Sequence, residues 1–97
     1  MVQVHDTFVC KPGNASKLAK KFKEAMKDNA DVKRILTDMT GAYNRVILVS
    51  EYENLAAYEQ SWEKMQKNTD AMKKMEEAMK GYQEMYLTGS REIFQSW

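Results

Sequence analysis

Along residues 2–10, VQVHDTFVC, apolar side chains recur with a period of two. Val2, Val4, Phe8 and Cys10 share one parity, broken by Asp6, and Gln3, His5, Thr7 and Val9 share the other. This period predicts a β-strand, since successive strand side chains point to opposite faces. Pro12 and Gly13 end it. After Asn14, a candidate helix cap, the period changes. Ala15, Leu18, Ala19, Phe22, Ala25 and Met26 fall at helical spacing and make one apolar face. KDNAD closes that helix. VKRILTDMT and RVILVSEYE then read as two strands joined by a GAYN turn, close enough to pair as an antiparallel hairpin. Asn54 caps a helix whose stripe is Leu55, Tyr58, Trp62 and Met65. KNTD is a break: Asn68 suits a C-terminal cap and Thr69 or Asp70 a new N-cap. Met72, Met75, Met79 and Tyr82 continue the stripe to about Gly81. This reads as core, although methionine also makes a soft wall around a ligand. EMYLTG and SREIFQSW supply a last strand, with a bulge or bend expected at Gly89.

The order β-α-β-β-α-β is the ferredoxin-like split unit. It predicts an α+β fold: a four-stranded antiparallel sheet with two helices on one face, residues 1–97 forming a single domain. A sheet with one wet face should alternate, but the third strand is apolar on both parities. Val46 and Leu48 point one way, Ile47 and Val49 the other; Val9 and Phe94 enlarge the second set. Two helices cannot cover both faces, and an uncovered apolar face is an interaction surface. The expected cover is the same face of a second copy, a sheet-on-sheet homodimer.

Composition narrows the function. With 15 Lys+Arg against 14 Asp+Glu, the formal net charge of +1 gives no overall field that would favour nucleic acid or a membrane. The lysines of the first helix (Lys17, Lys20, Lys21, Lys23, Lys27) read as a solvated face, with Glu24, Asp28 and Asp31 nearby. Cys10 is the only cysteine and His5 the only histidine, so neither a disulfide nor a zinc site is expected. No basic leader with an apolar core is apparent, and no apolar run approaches ~18 residues. The expected location is cytoplasmic. No phosphate-binding glycine loop, nucleophile elbow, flavin or nicotinamide fingerprint is present, so no cofactor is expected.

Three stretches, FVCKPGNASKLAKKF, LTDMTGAYNRVILVSEYENLAAYE and GSREIF, together resemble the dimeric α/β-barrel superfamily over nearly the whole chain. The second and third are most similar to the NIPSNAP-like branch. The KPG turn and the strand-to-ENLAAYE junction resemble the antibiotic-biosynthesis monooxygenase branch. The resemblance implies dimers with sheets packed face to face and a small pocket between sheet and helices. Activities in the superfamily include cofactor-free oxidation of quinol-like substrates, haem breakdown, polyketide cyclisation and muconolactone isomerisation, and fold alone does not choose among them.

His5 and Asp6 are the candidate catalytic residues. His5 is the natural acid–base group near neutrality, and it resembles a first-strand histidine of cyclase-like members, whose second pocket histidine has no counterpart here. Strand geometry sends Asp6 to the opposite face, so the two are not expected to form a dyad. Asp6 then faces the helices, where an unpaired carboxylate is costly. It must find a partner, sit at a wet pocket or mark a bulge. In oxygenase-like members the resemblance implies a pocket asparagine at that position and a tryptophan where the third strand ends; here the latter place is held by Tyr52. Haem breakdown would need a histidine on the second helix, and none is present. Trp62 fits the apolar stripe and is compatible with lining a pocket. Arg91 and Glu92 lie on opposite faces and are expected at the rim of the dimer.

Two functions follow. One is a small-molecule-binding protein, a candidate cofactor-independent monooxygenase-like enzyme acting on a small aromatic or enolisable compound, with Asp6, Tyr52 and Trp62 in the ligand pocket. The alternative is a non-enzymatic dimeric ligand-sensing or protein-interaction module.

Overall fold

A computed structural model describes residues 1–41 and 43–97. Ala42, within the expected GAYN turn, lies outside the described residues. The elements run β1 (Val2–Cys10), α1 (Ala15–Ala25), β2 (Val32–Thr37), β3 (Arg45–Tyr52), α2 (Leu55–Lys67), α3 (Thr69–Ala78), a 3-10 turn (Tyr82–Glu84) and β4 (Tyr86–Gln95). The strands form one sheet in the order β2-β3-β1-β4, with every pairing antiparallel. This is the expected α+β ferredoxin-like architecture, with one difference. The helices number three rather than two, because the break expected at KNTD fully separates α2 from α3; Asn68 ends α2 and itself caps α3, in place of Thr69 or Asp70, by accepting from the Ala71 N–H at 3.1 Å.

Two further expectations are corrected. Asn14 stands at the start of α1, but its side chain makes no cap; its Nδ2 donates to the Pro12 carbonyl at 3.4 Å instead. The irregularity in β4 is not at Gly89, which pairs regularly with Phe8. It falls between Val9↔Thr88 and Cys10↔Tyr86, leaving Leu87 as the extra residue. A Cβ at Gly89 would lie 3.6 Å from the Phe8 ring, an ordinary contact, so neither space nor backbone conformation requires glycine there.

The core lies between the sheet and α1. Leu18 and Phe22 of α1 pack with Cys10, Val46, Leu48 and Met79, all buried. Phe8 meets Phe22 at 5.0 Å and Tyr86 edge-on at 5.2 Å between ring centroids. Burying Leu18 fully contributes ~1.5–3 kcal/mol. α2 behaves differently. None of its residues is buried, and Leu55 and Trp62 of its expected core stripe are 58% and 46% exposed. It rides above the sheet instead of packing down on it, and the space beneath it is the site described next. No helix of the described residues is long and apolar enough to cross a membrane.

Candidate functional site

Between the helix-facing side of the sheet and α2–α3 lies an open groove of about 1260 Å³, lined by Val4 and Asp6 of β1, Leu48, Ser50 and Tyr52 of β3, Tyr58, Ser61, Trp62 and Met65 of α2, and Met75 of α3, among others. It is larger than the ~300–1,000 Å³ usual for a small-molecule pocket, because it also runs along the end of α1 and the approach to β2. Three expected pocket residues, Asp6, Tyr52 and Trp62, line it together. Strand parity is the reason for the first two: Val2, Val4, Asp6 and Phe8 share the helix-facing side of β1, and Val46, Leu48, Ser50 and Tyr52 that of β3.

The partner that Asp6 required is Arg91. The two are directly opposed across β1 and β4, and Arg91 Nε donates to Asp6 Oδ1 at 2.5 Å. The register at Asp6 is regular, so it does not mark a bulge. Arg91 is therefore on the helix side of the sheet, not at the rim of the opposite face as expected. Its guanidinium carbon sits 5.2 Å from the Trp62 ring centroid, a cation–π contact. The Asp6 carboxylate holds the guanidinium charged, above its already high ordinary range, against some loss of hydration. The side chains are 46% and 19% exposed, so the pair adds at most ~1 kcal/mol to stability. Its importance is positional: it fixes a cation beside the groove, against the lining residues Asp6 and Trp62.

A row of rings continues from Trp62. Tyr58 meets Trp62 edge-on at 6.3 Å, and Tyr52 meets Tyr58 edge-on at 5.1 Å. Burial pushes the Tyr52 phenol up, only partly opposed by the Ser61 and Ser50 hydroxyls. Tyr52 is thus a neutral hydrogen-bond donor at physiological pH. The Tyr58 hydroxyl is buried without a hydrogen-bond partner among the described residues. Ser61 is held by donating to the Tyr58 carbonyl at 2.6 Å. The floor is apolar where Val4 and Leu48 face the groove, and Met65 and Met75 supply adaptable walls.

His5 is on the other face of the sheet. Its ring meets Phe94 edge-on at 5.0 Å, and its Nε2 is 3.0 Å from Gln3 Oε1, while Gln3 Nε2 donates to Glu51 Oε1 at 3.2 Å. The structure therefore does not bring His5 into the groove with Asp6, Tyr52 and Trp62. No cluster of three or more potential metal-binding side chains occurs among the described residues.

One residue of the groove and one beside it escape the sequence reading. Arg91 carries a usable signal, since it shares parity with Ile93, on the strand side that faces the helices, and so belongs with Asp6. The orphaned Tyr58 hydroxyl has no sequence signal, because its isolation depends on how high α2 sits above the sheet.

No family model and no curated protein matches the chain. Solved structures do. An uncharacterised NIPSNAP domain protein from Burkholderia xenovorans superposes with a TM-score of 0.81 at 11% identity, covering 100% of this chain and 95% of the other. A NIPSNAP family protein from Agrobacterium tumefaciens gives 0.76 at 10% identity, covering 97% and 90%. A candidate antibiotic biosynthesis monooxygenase from Nitrosomonas europaea gives 0.67 at 12% identity, covering 99% and 98%. The chain thus shares its ferredoxin-like fold with these NIPSNAP domain proteins and with this antibiotic biosynthesis monooxygenase-like protein.

Proposed function

We propose that this protein binds a flat, weakly polar aromatic or enolisable molecule in the groove between sheet and α2–α3. The observation that carries the reading is the ring row Tyr52–Tyr58–Trp62, set over an apolar floor and ending at the Asp6–Arg91 pair. Aromatic walls favour a planar guest, and a few convergent polar groups fix its orientation. As an enzyme, the site would use Asp6 to take a proton from a phenol or enol. The resulting carbanion would react with dioxygen directly, without cofactor. The likeness to a candidate antibiotic biosynthesis monooxygenase supports this finer reading. His5, on the far side of the sheet, has no part in it.

Binding without turnover is favoured by a separate observation. The Asp6 carboxylate is already engaged by Arg91, so one oxygen is occupied before any substrate arrives. On that reading the protein is a ligand-sensing or interaction module. We also propose that two copies pack sheet on sheet through the face bearing His5 and Phe94, and that the protein works in the cytoplasm.

A screen of quinols and cyclic ketones, with oxygen uptake as the readout, separates the two readings. Turnover that Asp6→Ala abolishes supports the enzyme. Binding by calorimetry without turnover supports the module. Binding of flat aromatics that Trp62→Ala and Tyr52→Ala both leave unchanged would remove the groove from the account.

A further inference from the structure

We infer that the groove selects aromatic molecules carrying a carboxylate, with the carboxylate at Arg91 and Tyr58 and the ring along Trp62 and Tyr58. The inference deepens the small-molecule reading above and rests on it. It comes from the hydrogen-bonding inventory where Arg91 borders the groove at Asp6 and Trp62. A guanidinium has five N–H donors. Arg91 gives its Nε to Asp6, and its two Nη groups have no partner among the described residues. The Tyr58 hydroxyl is buried and also unpartnered there. Tyr52, one ring further along, is held as a neutral phenol and is a third donor. The phenol oxygens and the second oxygen of Asp6 can accept as well, but the two Nη groups can only donate. A guest that satisfies them must bring acceptors.

A carboxylate brings two oxygens with the spacing of the two Nη groups, the edge of the guanidinium that remains once Nε is taken. A neutral carbonyl offers one. The Trp62 face holds the guanidinium plane in place, so less order must be created on binding. The nearest negative charge is Asp6, which binds the Nε side of the guanidinium and leaves the Nη edge to the guest; Glu51, Glu53 and Glu77 also line the groove. Glu24, Asp28 and Asp31 line its α1–β2 end, and β2 and β4 are opposite edges of the sheet.

The test uses two probes of one shape, 2-naphthoate and 2-naphthamide, titrated calorimetrically into the whole protein at pH 7. The naphthoate is expected to bind at least about tenfold more tightly, since charge-assisted hydrogen bonds are roughly twice as strong as neutral ones. Arg91→Gln is expected to erase the preference and Tyr58→Phe to reduce it. If Arg91→Gln fails to melt cooperatively by circular dichroism, Arg91→Lys takes its place, keeping the charge, losing the fork and retaining only part of the preference. Equal binding of both probes, or tighter binding of the amide, overturns the inference and leaves the groove reading standing. A full preference surviving in the folded Arg91 variant overturns the role of Arg91. Failure of both probes to bind overturns the inference together with the reading it rests on.

Discussion

Asp38 and Asp6 each answer to an arginine on a neighbouring element, and their surroundings give the two pairs different consequences. Asp38, just after β2, accepts from the Arg45 N–H at 3.1 Å and from Arg45 Nε at 3.0 Å, closing the β2–β3 connection. Those two bonds hold its carboxyl below the ordinary value of 3.8. A depressed carboxylate contributes stability that is complete above the ordinary range and is lost as pH falls through the folded value. The thermal midpoint of the wild type should therefore exceed that of Asp38→Asn at pH 7, and the gap should close as pH falls from about 4 toward 2. A gap that stays constant over that range means the carboxylate is not held as described. Asp6 was readable as a residue needing a partner, because parity alone places it under the helices. The partner was harder to read. A charge in a strand is most often solvated, and Arg91 declares itself only once β4 is set in register with β1, placing it opposite Asp6. The Tyr58 hydroxyl was not readable at all, since burial of one atom depends on the height of a helix.

The three asparagines at helix starts separate sequence signal from tertiary outcome. Asn54 and Asn68 each accept from the backbone N–H three residues on, at 2.8 and 3.1 Å. Asn14 sits with helical backbone angles, φ −103° and ψ −9°, and its side chain does not cap. A side-chain cap satisfies a helix donor that otherwise has no partner, which is worth ~1 kcal/mol. Asn54→Ala and Asn68→Ala should each lower stability by about that amount, or ~4–8 °C in midpoint for a domain of this size. Asn14→Ala should cost much less. Equal losses at all three in urea melts would mean that the caps are not what these residues provide. The elements themselves were legible because their periods differ, two in β1 and near 3.6 in α1. The exception was the stripe of α2. It has the spacing of a core face, yet Leu55 and Trp62 are exposed. Periodicity reports which side of a helix is apolar and says nothing of whether the helix touches the layer below. The Leu87 irregularity was hidden for a related reason. Glycine suggests a bulge, but Gly89 pairs regularly with Phe8 and the extra residue is Leu87.

The open side of the sheet decides how the whole molecule exists in solution. Val9, Ile47 and Val49 line its centre, with Leu36 and Phe94 toward the edges at 44% and 45% exposure. Val49 is only 6% exposed despite this position, beside a shallow hollow formed with Gln3, Lys33, Arg34 and Glu51. The face is thus an apolar band with charged margins, the form of an interface centre and rim. Its margins carry both signs of charge. Arg34 belongs to one edge strand and Glu92 to the other, so a two-fold axis lying between the sheets and parallel to the strands would bring these unlike charges toward each other. For the proposed homodimer, light scattering at micromolar concentration should give twice the 11.3 kDa chain mass. Phe94→Lys should shift the mass toward that of one chain while leaving the far-ultraviolet circular dichroism unchanged, because Phe94 packs on His5 and not in the core. Arg34→Glu and Glu92→Arg should each weaken the dimer, and the double exchange should recover it. A wild-type mass of 11.3 kDa would end the dimer proposal. A dimer indifferent to Phe94→Lys would place the contact elsewhere, with the unpaired edge of β4 the next surface to examine.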